Sequence, residues 1–317
     1  MYDKNLISFC IPTYNRAEIL QECLLSLIDN IKEHGFNIII SDNNSADNTA
    51  HIVQDCVQDY PNIKYYKQNF TLDADEHFSK VLSYTESKYT WLIGDSYSIN
   101  KVELETLLGV ISNKNYDMIF VNAFDNIKNT DSKVYTDLST VLKEIGWHLP
   151  LMSAYIYSKE ILLKANYKKF FYSSFIQMGI VFDYFENRDF EFYWHNGNSL
   201  SVTKRYKSSW QSQVMEVFIY RWPEFIFALP RQIGINVKLK CIKDHGRGNK
   251  LFTLKNLLSY REKGGITYKE CLKYKSYFKY VDIYSWLIVV LISLIPPSLL
   301  TFVKSGFITY KNKLTTK

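Results

Sequence analysis

Cysteine is scarce and scattered. Cys10, Cys23, Cys56, Cys241 and Cys271 are the five in 317 residues. They form no Cys-x-x-Cys pair and no zinc-like spacing with histidine, so a zinc module or a disulfide framework is excluded, and reduced thiols in a cytosolic compartment are expected. Glycine signatures are also missing. Neither Gly-x-Gly-x-x-Gly nor Gly-Lys-Ser/Thr follows any strand-like segment, which argues against dinucleotide enzymes and P-loop ATPases. Repeats and low-complexity tracts are absent. Met1–Lys4 runs into an apolar segment broken by Pro12, Asn15 and Arg16, without the basic region and apolar stretch of a secretion signal.

What is present is a globular composition with 47% hydrophobic and 22% charged residues. The net charge of +6 is unevenly spread. Lys240 to Lys317 carries 15 Lys+Arg against 4 Asp+Glu, or +11, and the remaining 239 residues carry 23 against 28, or −5. A basic segment beside an acidic body suits nucleic acid or an anionic membrane, but no helix-turn-helix, zinc or RNA-recognition pattern supports nucleic acid. The segment holds an uncharged run of 21 residues, Ile283 to Val303. As one helix it would reach roughly 30 Å, enough to span a bilayer. Pro296 and Pro297 interrupt it, removing two donors and turning the preceding residue away from helix. The run therefore reads as an interfacial or re-entrant anchor, with Tyr284 and Trp286 at headgroup level and Lys273, Lys275, Lys279, Lys304, Lys311 and Lys313 facing anionic lipid. A buried helix, a turn and another helix within the soluble fold is the other reading.

The first 125 residues alternate between two periods. Buried-strand runs at Leu6–Ile11, Phe36–Ser41, Ile63–Tyr66, Tyr89–Ile93 and Asp117–Val121 are separated by amphipathic stretches such as Ile19, Leu20, Cys23, Leu24, Leu27, Ile28 and Ile31. Strict alternation predicts an α/β fold with an open, doubly wound, mostly parallel sheet flanked by helices. Ligands of such sheets bind beyond the carboxyl ends of the strands. The tips to inspect are Pro12–Arg16, Asp42–Asp47, Asn69–Asp75 and Asp95–Ser98. Further on, Ser153–Tyr157 and Phe190–Trp194 read as strands, and Lys159–Ala165 and Phe175–Phe185 as helices. The expected division is residues 1–235 (1–125 and 126–235 as its halves) followed by a basic helical region, 236–317.

Three of these segments carry a resemblance. Ser8-Phe9-Cys10-Ile11-Pro12-Thr13-Tyr14-Asn15-Arg16, Ile40-Ser41-Asp42-Asn43-Asn44-Ser45-Ala46-Asp47-Asn48-Thr49 and Trp91-Leu92-Ile93-Gly94-Asp95 resemble family 2 glycosyltransferases of the GT-A fold, in particular bacterial O-antigen and capsule enzymes of the abequosyltransferase-like group. The resemblance covers the first 125 residues well and the remainder in general layout. It implies nucleotide-sugar binding by Pro12, Thr13, Tyr14, Asn15, Arg16, Asp42, Asn44, Asp73 and Asp95, and a divalent cation, Mg or Mn, at Asp95. For Asp42 an Asx cap on the next helix, and for Tyr14 and Asn15 a turn-stabilising role, stand beside ligand contact.

Two departures matter. Where relatives carry Asp-x-Asp or Asp-Asp-Asp, this chain reads Gly94-Asp95-Ser96-Tyr97-Ser98. One carboxylate remains, and a weak cation site, a metal-independent transfer aided by a basic residue, and a donor-binding relative without activity are all open. At Asn69-Phe70-Thr71-Leu72-Asp73-Ala74-Asp75, Thr71 stands where relatives have Gly and Asp75 where they have Asn; Asp73 and Asp75 read as sugar-contacting or as helix caps. An inverting transferase also needs a base for the acceptor hydroxyl. No acid opens the helix at Ser173–Asp183, so Asp183 is the candidate, followed by Glu186, His148 and His195. The resemblance thus implies transfer of a sugar from a nucleotide donor to a polyprenyl-diphosphate-linked glycan, by a peripheral or monotopic protein on the cytoplasmic face of the cell membrane. A catalytically inactive nucleotide-binding scaffold is the alternative.

Overall fold

The computed structural model describes residues 2–205 and 210–302. It falls into two compact units, Met1–Lys207 with Leu229–Ile233, and Ser208–Ala228 with Gly234–Lys317.

The first unit begins as pure alternation: β1 (Ile7–Thr13), α1 (Ala17–Ile31), β2 (Asn37–Asp42), α2 (Thr49–Asp59), β3 (Ile63–Lys67), α3 (Ala74–Ser83) and β4 (Tyr89–Leu92). There follow β5 (Tyr97–Ile99), α4 (Lys101–Asn113), β6 (Met118–Ala123), β7 (Lys133–Tyr135), α5 (Leu138–Glu144), β8 (Tyr155–Ser158), α6 (Lys159–Lys164), α7 (Ile176–Phe185) and β9 (Phe192–Val202). Among the described residues these strands form one sheet of nine, in the order β3-β2-β1-β4-β8-β6-β9-β5, with β7 also on β9. β1 to β4 are parallel neighbours. β8 enters antiparallel between β4 and β6, and β9 runs parallel to β6. β1 to β4, β6 and β9 therefore point one way, and β5, β7 and β8 the other.

The central strands β1, β4 and β6 are buried along their whole length, as expected for a sheet with helices on both faces. Trp91, Phe9, Phe120, Tyr155 and Trp194 are fully enclosed within it. Strand β1 runs through Pro12 to Thr13, beyond the expected stop at Ile11. Cys10 accepts the Ile93 N–H, so the even-numbered residues of β1 turn their backbone groups toward β4. Pairing with β4 ends at Cys10, so the donor that Pro12 lacks falls past the last rung and costs no ladder bond. β5 and β7 escape the sequence pattern because three-residue strands carry no readable period. Helix ends follow capping chemistry: Asp73, Asn100, Asp137 and Ser158 each accept a backbone N–H at the start of α3, α4, α5 and α6.

The second unit is helical among its described residues: α8 (Trp222–Ala228), α9 (Ile235–Gly248), α10 (Leu254–Glu262), α11 (Tyr268–Lys273) and α12 (Trp286–Leu294). Trp222, Ile226, Ile242, Leu257, Cys271 and Val289 are buried in it. Helix α12 packs on α10 and α11 and stops where the prolines require. Ile295, the residue before Pro296, is extended at φ −66°, ψ 127°. Its outer positions Leu287, Ile288, Leu291 and Leu294 are exposed. No helix among the described residues is long and apolar enough to cross a membrane. Lys304, Lys311 and Lys313 lie outside the described residues.

Candidate functional site

The parallel block brings the first, second and fourth tips to one rim, and polar groups lace them together. Asp95, just past β4 and 4% exposed, is the centre. Its Oδ2 accepts the Thr13 hydroxyl at 3.0 Å. Its Oδ1 faces Arg16 Nη1 at 3.2 Å and the Ser96 hydroxyl at 3.1 Å. Arg16 also donates to Ser96 Oγ. Burial raises the Asp95 carboxyl above the usual range, and Arg16, Thr13 and Ser96 oppose that rise.

The second tip is an organised loop. Asp42 is fully buried; its Oδ1 accepts the Ser45 N–H at 2.8 Å and its Oδ2 the Tyr65 hydroxyl at 2.5 Å. Burial, then this bond to a carboxylate, holds the Tyr65 hydroxyl protonated. Asn15, at φ 51°, donates its N–H to Ser45 Oγ and accepts the Ala46 N–H, both at 2.8 Å. Asp47 accepts from Ala17 N at 2.9 Å. The turn after β1 and the loop after β2 are thus one hydrogen-bonded unit. Asn44 holds a left-handed φ of 67°, which asparagine tolerates better than most residues. Tyr14 is exposed.

The third tip is tied to the second by two bonds: Asn43 donates to Leu72 O at 3.0 Å and accepts the Leu72 N–H at 2.8 Å. Asp73 caps α3, accepting the Asp75 N–H. Asp75 turns inward and meets the segment that opens α7. Its signal in the sequence was an acid on the apolar stripe of α3, at i, i+3 and i+7 with Phe78 and Leu82.

The remaining candidates lie apart from this lacing. Asp183, two turns along α7, is ion-paired with Lys169. His148 Nε2 accepts the Ala123 N–H at 3.3 Å. His195 Nε2 pairs with Glu103 at 2.7 Å.

For a divalent cation the rim supplies one carboxylate. Among the described residues no group of three or more His, Cys, Asp or Glu side chains could hold a metal ion. Asp95 fits as a single ligand, with diphosphate and water completing the shell, since magnesium takes few protein ligands. Arg16 lies against Oδ1 of the same carboxylate.

A parallel β1–β4 block with a polar rim at its carboxyl ends, the place where open sheets of this kind bind ligands, defines an α/β protein of the open-sheet class. The chain matches the family described as Glycosyl transferase family 2 over residues 8–185, more than half of its 317 residues, and it belongs to that family. It is similar to the abequosyltransferase RfbV of Salmonella typhimurium, 37% identical over 105 residues, 32% of this chain and 31% of that one. It is also similar to the GalNAc(5)-diNAcBac-PP-undecaprenol beta-1,3-glucosyltransferase of Campylobacter jejuni, 28% identical over 131 residues, 41% of this chain and 42% of that one. The alignments span less than half of either relative. Among solved structures, S. aureus TarS 1-349 in complex with UDP-GlcNAc superposes at a TM-score of 0.58, with 15% identity over 90% of each chain. A mannosyltransferase, PcManGT from Pyrobaculum calidifontis, in complex with GDP-Man and Mn2+, superposes at 0.52, with 12% identity over 90% of this chain and 86% of that one. At these identities the likeness is one of fold, the GT-A fold.

Proposed function

We propose that this protein transfers a sugar from a nucleotide-sugar donor to a lipid-linked oligosaccharide in bacterial surface polysaccharide synthesis, with inversion at the anomeric carbon. The observation that carries this reading is the Asp95–Thr13–Arg16–Ser96 cluster at the carboxyl-end rim of a family 2 fold. A pre-oriented carboxylate and guanidinium offer what a departing diphosphate needs: a partner for a bridging cation and a fixed positive charge. Donor contact falls to Tyr14, Asn44 and Arg16 at the rim. Asp42, Asn15 and Asp73, which accept backbone N–H groups of these loops and of α3, shape the cradle with Pro12. A divalent cation at Asp95 is supported by the Mn2+ in the mannosyltransferase complex.

The acceptor class is supported by the Campylobacter relative, whose name specifies a PP-undecaprenol-linked substrate. The second unit supplies a matching surface for the cytoplasmic face of the membrane. Leu287, Ile288, Leu291 and Leu294 form an exposed apolar face, and Lys273, Lys275 and Lys279 lie over the rings of Tyr274, Trp286 and Tyr280 at 4.8, 4.4 and 4.9 Å. Such apolar and cationic surfaces partition together into an anionic interface.

The test is a thermal-shift screen with UDP-, GDP-, CDP- and dTDP-sugars, followed by transfer to polyprenyl-diphosphate-linked glycans with and without Mn2+. A stabilising nucleotide sugar and a glycosylated lipid product are expected. The single acid at the fourth tip favours a second reading, a nucleotide-binding scaffold without activity; nucleotide binding with no transfer or donor hydrolysis would select it.

A further inference from the structure

The opening of α7 brings together groups 98 and 99 residues apart in the chain. Asp75 is 1% exposed. Its Oδ2 accepts the Ser174 N–H at 2.9 Å, with Ser173 Oγ at 3.5 Å. Its Oδ1 is buried with no hydrogen-bond partner among the described residues. Folded proteins rarely leave a buried acceptor unmet, so the second oxygen needs a cause. Capping does not provide one, because an asparagine would hold the Ser174 N–H equally well. Asp75 also follows β3 on the same rim as the donor cluster, through the loop that Asn43 pins at Leu72.

We propose that Asp75 is the general base of the transfer, an assignment that rests on the function proposed above. The acceptor oxygen bonds to the anomeric carbon, and the bond from that carbon to the donor phosphate breaks. The electron pair leaves on the nucleoside diphosphate, and the hydroxyl proton passes to Asp75 Oδ1. α7 carries no acid at its own start, and α3 supplies one from across the junction. Asp183 is farther along α7 and ion-paired with Lys169.

Burial pushes the Asp75 carboxyl up to about 6, the charge of Asp73 adds to the rise, and the backbone donors opening α7 oppose it. That places it near the working range of a general base. On its own helix Glu76 is hydrogen-bonded by Tyr172, and His77 bonds Ser41 and is pushed down to about 4 by burial, so it is neutral at pH 7. The elements packed on α3 present Cys10 from β1, Asp42 from β2, Tyr167 and Lys168 from the turn at Tyr167–Phe170, and the Lys169–Asp183 pair. Tyr172 and Ser174, in the segment over Asp75, hold left-handed φ values of 65° and 69°. Such strain in non-glycine residues concentrates at functional sites.

Asp75→Asn in the full chain tests the assignment, with Asp183→Asn beside it. The expected result is a fall in kcat of about 10²- to 10⁴-fold, an unchanged thermal shift with UDP, GDP, CDP or dTDP, and loss of the acid limb of the kcat profile near pH 6. A parental rate with that limb intact overturns the proposal. So does a loss of rate accompanied by lost nucleotide binding and a lower melting temperature, the mark of a cap alone, or a loss confined to Asp183→Asn. A parent chain inactive with every nucleotide sugar overturns the transfer reading itself, and the base with it.

Discussion

Asp95 and Asp75 are buried acids beyond β4 and β3, two parallel strands of the same sheet, and burial raises the carboxyl of each. Their surroundings differ. Asp95 has a guanidinium and two hydroxyls around its oxygens, whereas Asp75 has Ser174 and Ser173 at one oxygen and no hydrogen-bond partner at the other among the described residues. A carboxylate enclosed by donors is held in one place, which suits recognition. A carboxylate with an unmet lone pair retains the capacity to accept a proton, which suits chemistry.

The largest effect that would break this contrast is on stability at Asp95. Asp95→Ala leaves Arg16 without its counter-charge in a half-buried position, and a loss of about 3 kcal/mol is expected, read from urea midpoints at constant m. A loss near zero would show that the cluster is not pre-organised. Asp75 should behave in the opposite sense. Its folded carboxyl is raised to about 6, so its contribution to stability is complete below the ordinary carboxyl value and is lost as pH rises through about 6. Asp75→Asn removes that loss. Relative to the parent, the variant should gain roughly 2–3 kcal/mol between pH 4 and pH 7.5, measured by denaturation at both pH values. Thr13→Val removes one hydrogen bond to the buried Asp95 carboxylate and should cost about 1.5 kcal/mol in the same measurement. The smallest effect lies in the second unit. Leu287→Ser with Leu291→Ser should weaken co-sedimentation with anionic vesicles roughly tenfold, as apolar area is lost from the interface, and leave soluble nucleotide binding untouched.

Much of the rim was legible in the sequence because it is made locally. Pro12–Arg16, Asp42–Asp47 and Asp95 each lie at or just past the end of a strand, and the turn residues Asn15 and Asn44 announce positions of positive φ. The proline pair at Pro296 and Pro297 likewise stops a helix by its own chemistry. Three features were not legible. β8 lies between β4 and β6, although it comes after both in sequence. The short β5 and β7 are created by the edge that β9 offers. Asp75 reads as a cap until α7 arrives beside it.

Periodicity, turn chemistry and caps act over a few residues, so the chain alone determined its longer strands, the helices between them and the polar character of their tips. Which acid acquires a cation and which keeps a bare oxygen depends on partners up to 99 residues away. Only the packed sheet and helices decide that, because desolvation and pairing are set by what surrounds a group in space.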